Sequence, residues 1–407
     1  MPIIKLLSIV AFMLNCSILL VSQDLQRDVT RDIIKYNFES KNFDTITGVS
    51  FDIKMTSDRT NFDLGEMYPS SVPMDMPTEN LSEGTQFTSP LVAKDQYSMV
   101  NYPVSTTIKL FKVSGNDLRD QCTGTMVGPR HVLTSAHCVL KPYTVEVVVE
   151  DLIAVAGYDV SMDTTDHIKA QVSDAYFLDE WNIGEGDDQA LLELDEPIGY
   201  YTGWVSFGYN DDDEYFSGKN FHKFSYPTYR TPYNQYPFNG DTLYYSYGAI
   251  DYVADDFLGV IGHIKGAGGE SGSSILYINN EDIYTSYGVL TWVGYYNHSR
   301  FNAERFNAFQ HIVNESVLTN TSELLEDSEV VVYPNPSNDY INIEVNAADV
   351  DINSIGIFDI SGRLIQVINT DYDRTRIDVA GLPEGLYHLK MISKKGLVAT
   401  KSFVKSK

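Results

Sequence analysis

Short runs of β-branched and aromatic residues, each closed off by Gly, Asn or Asp clusters, recur from about Val92 onward and constrain what this chain can fold into. Thr106 to Val113, Thr123 to Val127, Val145 to Val149, Ala190 to Leu194, Ser274 to Ile278 and Tyr287 to Val293 read as strands. Helical patterning is scarce until Ala303 to Val313. The pattern therefore predicts an all-β unit, an antiparallel barrel or sandwich, closed by that late helix. With 407 residues the chain exceeds one ordinary domain, so two or three units are expected.

The flanks read differently. Lys5 precedes an apolar run from Leu6 to Val21, followed by polar Ser22 and Gln23, which is the order of a secretory signal peptide over residues 1–23. The run is short, contains Asn15 and lacks a basic flank, so it does not read as a membrane anchor. Cys16 reads poorly as a lipidation site, because bulky Asn15 precedes it and apolar residues continue past it. Residues 24–91, punctuated from Met67 to Pro77 by Met and Pro, read as a propeptide, with a small accessory domain as the alternative. Loss of the signal leaves Cys122 and Cys138, an even pair bound for an oxidising compartment and expected to form a disulfide. The formal charge of −27 disfavours nucleic acid and anionic lipid as partners and suits solubility outside the cell. Residues 316–330 form an acidic Ser/Thr/Glu linker. Beyond it, Tyr340 to Val345, Ile355 to Asp359, Leu364 to Ile368, Arg376 to Val379, Gly385 to Met391 and Leu397 to Val404 suggest a small β-sandwich over 331–407.

Three segments carry chemistry. Thr134-Ser135-Ala136-His137-Cys138 follows the apolar pair Val132-Leu133, so the imidazole falls just past a strand, beside a cysteine able to staple it. Gly268-Gly269-Glu270-Ser271-Gly272-Ser273 sets a serine between glycines. Such a turn exposes Oγ and aims backbone N–H groups, here those of Gly269 and Ser271, at a developing oxyanion. Asp187 and Asp188 open the apolar run Ala190 to Leu194; Asp188 is the better placed to be buried against an imidazole Nδ1–H, and Asp187 competes with it. A nucleophile, a base, an orienting carboxylate and oxyanion donors are what acyl transfer by a hydroxyl needs.

In this order, and with Gly124-Thr125-Met126-Val127, these segments resemble the trypsin-like serine proteases over roughly Val92 to Glu315. Asp95 to Ile108, Gly203-Trp204 and Arg300-Phe301-Asn302 are similar to the bacterial glutamyl endopeptidase-like branch. The resemblance implies two antiparallel six-stranded β-barrels of chymotrypsin-like fold with a C-terminal helix. It implies the triad His137, Asp188 and Ser271 in the cleft between the barrels, a Cys122–Cys138 disulfide beside the histidine, synthesis as a zymogen, and proteins or peptides as substrates of a monomer. No cofactor or metal is called for; Asp211-Asp212-Asp213 could offer carboxylates to calcium, but a solvated acidic turn explains them more simply.

Specificity departs from that branch, which carries a Thr or Ser five residues before the nucleophile and a His on the pocket-wall strand; Gly266 and Leu290 stand there. Lys265 at the pocket base could pair with an acidic substrate side chain, with Leu290, Thr291 and Trp292 lining the wall, although a solvated loop lysine explains Lys265 equally well. Glu270 occupies the place at which many relatives keep an Asp that pairs with the α-amine freed by maturation. In the tail, Val332-Tyr333-Pro334-Asn335-Pro336, Ile357-Phe358-Asp359-Ile360-Ser361-Gly362-Arg363 and Gly381-Leu382-Pro383-Glu384-Gly385-Leu386-Tyr387 resemble the sorting domain of the type IX secretion system. That resemblance implies an encounter with secretion machinery and an extracellular or cell-surface destination by way of the periplasm. A generic immunoglobulin-like accessory domain is the alternative for the tail, and a non-catalytic, protease-like adhesin is the alternative for the chain.

Overall fold

The structure, a computed structural model, describes residues 27–53, 58–60, 76, 87–142, 144–160, 167–178, 186–228, 238–260, 267–279, 282–292, 297–320, 329–346, 352–360, 362–370, 374–393 and 396–407. The signal peptide expected over 1–23 lies outside them, as do Lys265 and Gly266, and the side chain of Trp292 is likewise not described.

The chain is mostly β, as the strand-like runs predict. Six antiparallel strands form a closed barrel: Ala190–Leu194 pairs with His131–Thr134, which pairs with Asp117–Met126, then Thr107–Ser114, Asp151–Ala156 and Lys169–Leu178, which returns to Ala190–Leu194. Side chains alternate along each strand, and the inward set, including Ile108, Leu110, Met126, Val132, Leu192 and Leu194, fills the barrel. The second sheet runs through Phe221–Ser225, Ser274–Ile278, Tyr284–Trp292 and Asn297–Arg300, and within the described residues it is a half-barrel. A helix, Ala303–Asn320, packs Phe306, Phe309 and Val313 into the apolar layer between the two sheets. It runs seven residues beyond the Val313 expected from sequence, into the span read as linker.

Val145 to Val149 does not form the expected strand. Only Val147 makes an isolated bridge, to Leu140, and Val145 and Val148 are exposed. β-Branched residues favour a pleated surface only where a neighbouring strand supplies continuous pairing and burial, and here only Val147 bridges and only Val149 is buried in the barrel core.

Two further features bear on function. Arg27–Asn37 and Asn42–Ile53, inside the span read as a propeptide, form a hairpin whose first strand pairs with Lys169–Leu178 and so extends the barrel sheet. The tail forms a three-stranded and a four-stranded sheet face to face. Ile341, Ile343 and Ile377 of one pack on Ile357, Leu389, Met391 and Phe403 of the other, which makes the small sandwich its patterning predicts.

Candidate active site

Register in the barrel brings the first two site residues together. Ala190 lies opposite Thr134 in an antiparallel pair. His137, three residues past Thr134, and Asp188, two before Ala190, therefore emerge at the same end of neighbouring strands. A short 3-10 turn, Ala136–Cys138, swings the imidazole over the barrel rim. Asp188 is fully buried, and its Oδ2 lies 2.6 Å from His137 Nδ1 while its Oδ1 accepts the His137 backbone N–H at 2.9 Å. Thr291 Oγ1 donates to the same Oδ2. Among the described residues these three contacts fix the orientation of the Asp188 carboxylate.

The neighbouring acid goes elsewhere. Asp187 accepts from Arg305 Nε at 2.8 Å, which ties it to the C-terminal helix. Burial raises its carboxyl above the ordinary range, against the opposing pull of Arg305.

Ser271 comes from the second sheet, three residues ahead of the strand Ser274–Ile278. Cross-sheet bonds set its loop against the barrel: Thr123 N donates to Ser271 O at 2.9 Å, Thr123 Oγ1 to Gly269 O at 2.7 Å, and Ser135 Oγ to Leu290 O at 2.7 Å. Glycine is required on both sides of Glu270-Ser271. Gly269 and Gly272 have φ of 85° and 83°; a Cβ at Gly269 would lie 2.4 Å from Tyr226 O, and one at Gly272 would lie 2.1 Å from Thr134 Oγ1.

The carbonyls of this loop are tied from behind. Gly268 O accepts from Thr228 N at 2.6 Å and Glu270 O from Ser273 N at 3.0 Å. In a trans peptide the N–H points opposite to the C=O. Anchoring those two oxygens therefore turns the amides of Gly269 and Ser271 outward, and neither makes a hydrogen bond among the described residues. Two convergent free amides at a serine are what a tetrahedral oxyanion requires. Ser271 is 6% exposed, and no hydrogen bond joins its Oγ to the His137 ring among the described residues. Such bonds commonly tighten only when substrate arrives.

Cys122 and Cys138 are joined as a disulfide, with Cα atoms 6.1 Å apart, directly beneath His137. Their sulfurs lie near the imidazole, but a disulfide offers no thiolate to a metal. Of Asp211–Asp213, Asp212 caps a turn at Glu214 N and Asp213 pairs with Arg300 at 2.8 Å.

On the strand expected from sequence to wall the pocket, Leu290 is fully buried and its backbone bonds Gly272 and Ser273, while the Thr291 hydroxyl faces Asp188 rather than the cleft. Sequence reasoning missed this use of Thr291. It also missed Lys223, whose Nζ lies 2.9 Å from Glu270 Oε1. A polar Thr between Leu290 and Trp292, and a Lys between Phe221 and Phe224, were the only local signals.

Comparison with known proteins follows the same division of the chain. Residues 97–313 match the trypsin family, and residues 331–406 match a secretion system C-terminal sorting domain. No curated protein matches. Among solved structures, "Structure of Glu endopeptidase in complex with MPD" aligns at 17% identity with a TM-score of 0.44, over 57% of this chain and 100% of that one. The sorting domain marks the chain as cargo of type IX secretion, destined for the cell surface or the extracellular space. The trypsin match takes in more than half of the 407 residues, and the chain belongs to the trypsin family.

Proposed function

We propose that the protein is a secreted serine endopeptidase acting through an acyl-enzyme. Ser271 Oγ attacks the scissile carbonyl, and His137 takes the hydroxyl proton and returns it to the leaving amine. Asp188 fixes the imidazole with Nδ1 protonated and stabilises the imidazolium, while the Gly269 and Ser271 amides receive the oxyanion. The observation that carries this reading is the 2.6 Å contact between His137 Nδ1 and a fully buried Asp188, at a rim where a glycine-flanked serine presents free amides.

In the same reading, the chain is made with a signal peptide over 1–23 and a pro-segment over 24–91, followed by the protease unit over 92–315, a linker over 316–330 and the sorting domain. In this reading Lys265, Gly266, Leu290 and Trp292, with Thr291 through its backbone, receive the residue before the scissile bond. A lysine at the base of that pocket would select an acidic side chain. A peptide-library cleavage profile reads this preference directly, and cleavage without enrichment of Glu or Asp before the bond removes it.

The activity itself is tested with a serine-reactive fluorophosphonate and casein. The mature wild type takes up label and cleaves casein, and Ser271→Ala does neither, with a loss on the order of 10⁶-fold in kcat. A folded wild type that is both unlabelled and inert sinks the proposal and leaves a binding protein on a protease scaffold.

A further inference from the structure

Glu270 sits between the two residues whose amides face the oxyanion position, yet its side chain turns inward and is 3% exposed. Donors among the described residues meet its carboxylate: Lys223 Nζ at 2.9 Å and Ser225 Oγ at 3.0 Å on Oε1, and the Ala267 backbone N–H at 2.9 Å on Oε2. The lysine is as deeply buried as its partner, with side-chain exposures of 2% and 4%. Burying either charge alone is costly, so the pair persists only if each holds the other in place.

The donors come from one rigid element. Lys223 and Ser225 are two residues apart on Phe221–Ser225 and so share a face. That strand pairs on one side with Ser274–Ile278, which leads directly out of the nucleophile loop, and on the other with Tyr244–Gly248. The cation is thereby fixed to the sheet that carries Ser271.

We infer that Lys223 is a positioning residue that holds the oxyanion loop through Glu270 in the intact chain. The inference rests on the proposed acyl-transfer reading. A carboxylate anchored behind the loop prevents the Gly269–Ser271 segment from rotating its amides away, and Gly269, with φ of 85°, offers little resistance of its own to such rotation. Because the ammonium belongs to a strand, the anchor does not depend on an α-amine released by cleavage. It stands where the family resemblance led us to expect such an amine.

The test uses the full chain carrying Lys223→Met, with Lys223→Arg as the conservative variant, and two readouts. On a peptide substrate, Lys223→Met is expected to lose about 10²-fold in kcat with KM changed by less than about threefold, since oxyanion stabilisation acts on the transition state. Lys223→Arg recovers at least about tenfold of that loss. By hydrogen exchange, the segment around 267–273 exchanges faster in Lys223→Met while the barrel strands do not. A folded Lys223→Met with wild-type kcat and unchanged loop exchange overturns the inference.

If Lys223→Met does not fold, the double variant Lys223→Met, Glu270→Gln removes both charges at nearly constant volume. Its kcat is expected to fall at least about tenfold, and wild-type kcat in that variant also overturns the inference. An inert wild type counts against the proposed function alone, because the exchange readout still decides whether Lys223 anchors the loop.

Discussion

Two histidines outside the site make the fold sensitive to acid. His131 and His222 are each 1% exposed, and burial lowers both from the ordinary value to about 4. The folded chain therefore keeps them neutral, whereas the unfolded chain protonates them below about 6.5. Between those values the unfolded state binds more protons, so stability is complete above pH 6.5 and is lost as the pH falls towards 4. Each histidine is worth roughly 3 kcal/mol over the whole interval. Among the described residues the His131 ring has no hydrogen-bond partner, so His131→Phe probes its titration, with Glu193, whose charge opposes the shift, left in place. Unfolding free energies from urea titrations at pH 7 and pH 5 should show a fall in the wild type that is smaller by about 2 kcal/mol in this variant. Equal falls would show that His131 titrates normally. At this scale the sequence is legible only where chemistry is local. His137 and Ser271 are marked by adjacent residues, whereas the Asp187/Asp188 ambiguity yields only to the register that sets Ala190 opposite Thr134. Lys223 and Glu270 are 47 residues apart, and nothing near either one announces the other.

Among the elements, the N-terminal hairpin was the least visible beforehand. Ile33 and Tyr36 lie on opposite faces of the regularly paired run Ile33–Asn37 and Phe38 lies beyond the strand, so the buried residues follow no strict alternation and the segment reads as featureless. In the structure Ile33 joins the layer between the sheets, Tyr36 and Phe38 join the barrel core, and Arg31 pairs with Glu304 of the C-terminal helix at 2.8 Å. Fully burying side chains of this kind is worth roughly 1.5–3 kcal/mol each. Without the hairpin, Asp174–Leu178 also becomes a bare strand edge on the side that Ile33–Asn37 covers. Deleting residues 24–60 should therefore lower the melting temperature by more than about 10 °C or leave the protein insoluble. After cleavage anywhere between 61 and 86, the hairpin fragment should co-elute with the protease unit on size exclusion. A deletion variant that melts with the wild type, or a fragment that separates without denaturant, rules out this role. The barrel strands Thr107–Ser114, Asp117–Met126 and Ala190–Leu194 were legible from their runs and each meets partners on both sides, the condition Val145 to Val149 fails; Asp151–Ala156 and Lys169–Leu178 meet partners too but were not read from the sequence.

For the molecule as a whole, the question is how far the protease depends on its sorting domain. The tail encloses its own core, built from Ile341, Ile343, Leu389, Met391 and Phe403. It meets the protease where Phe358 and Ile392 pack on Tyr201, whose hydroxyl donates to Ser354 Oγ at 2.6 Å, and where Lys390 Nζ reaches Tyr200 O at 3.3 Å. A cavity of about 690 Å³ remains between them, bordered by Ser105, His167 and Tyr201 on one side and by Asn353, Leu364 and Gln366 on the other. Across this open cleft the two surfaces stand apart and make no close contact. The tail-facing residues Tyr200 and Tyr201 lie on the short helix Gly199–Thr202, and none of these contacts involves the nucleophile loop or the His137–Asp188 pair. A chain ending at residue 330 should accordingly fold, keep its kcat and KM, and melt within about 3 °C of the full-length protein's protease transition. Calorimetry of the full chain should resolve two transitions, of which truncation removes one. A single transition shared by the whole chain, or a truncated protein that aggregates, would mean that the tail is part of the protease fold and that its removal after secretion would cost the enzyme its structure.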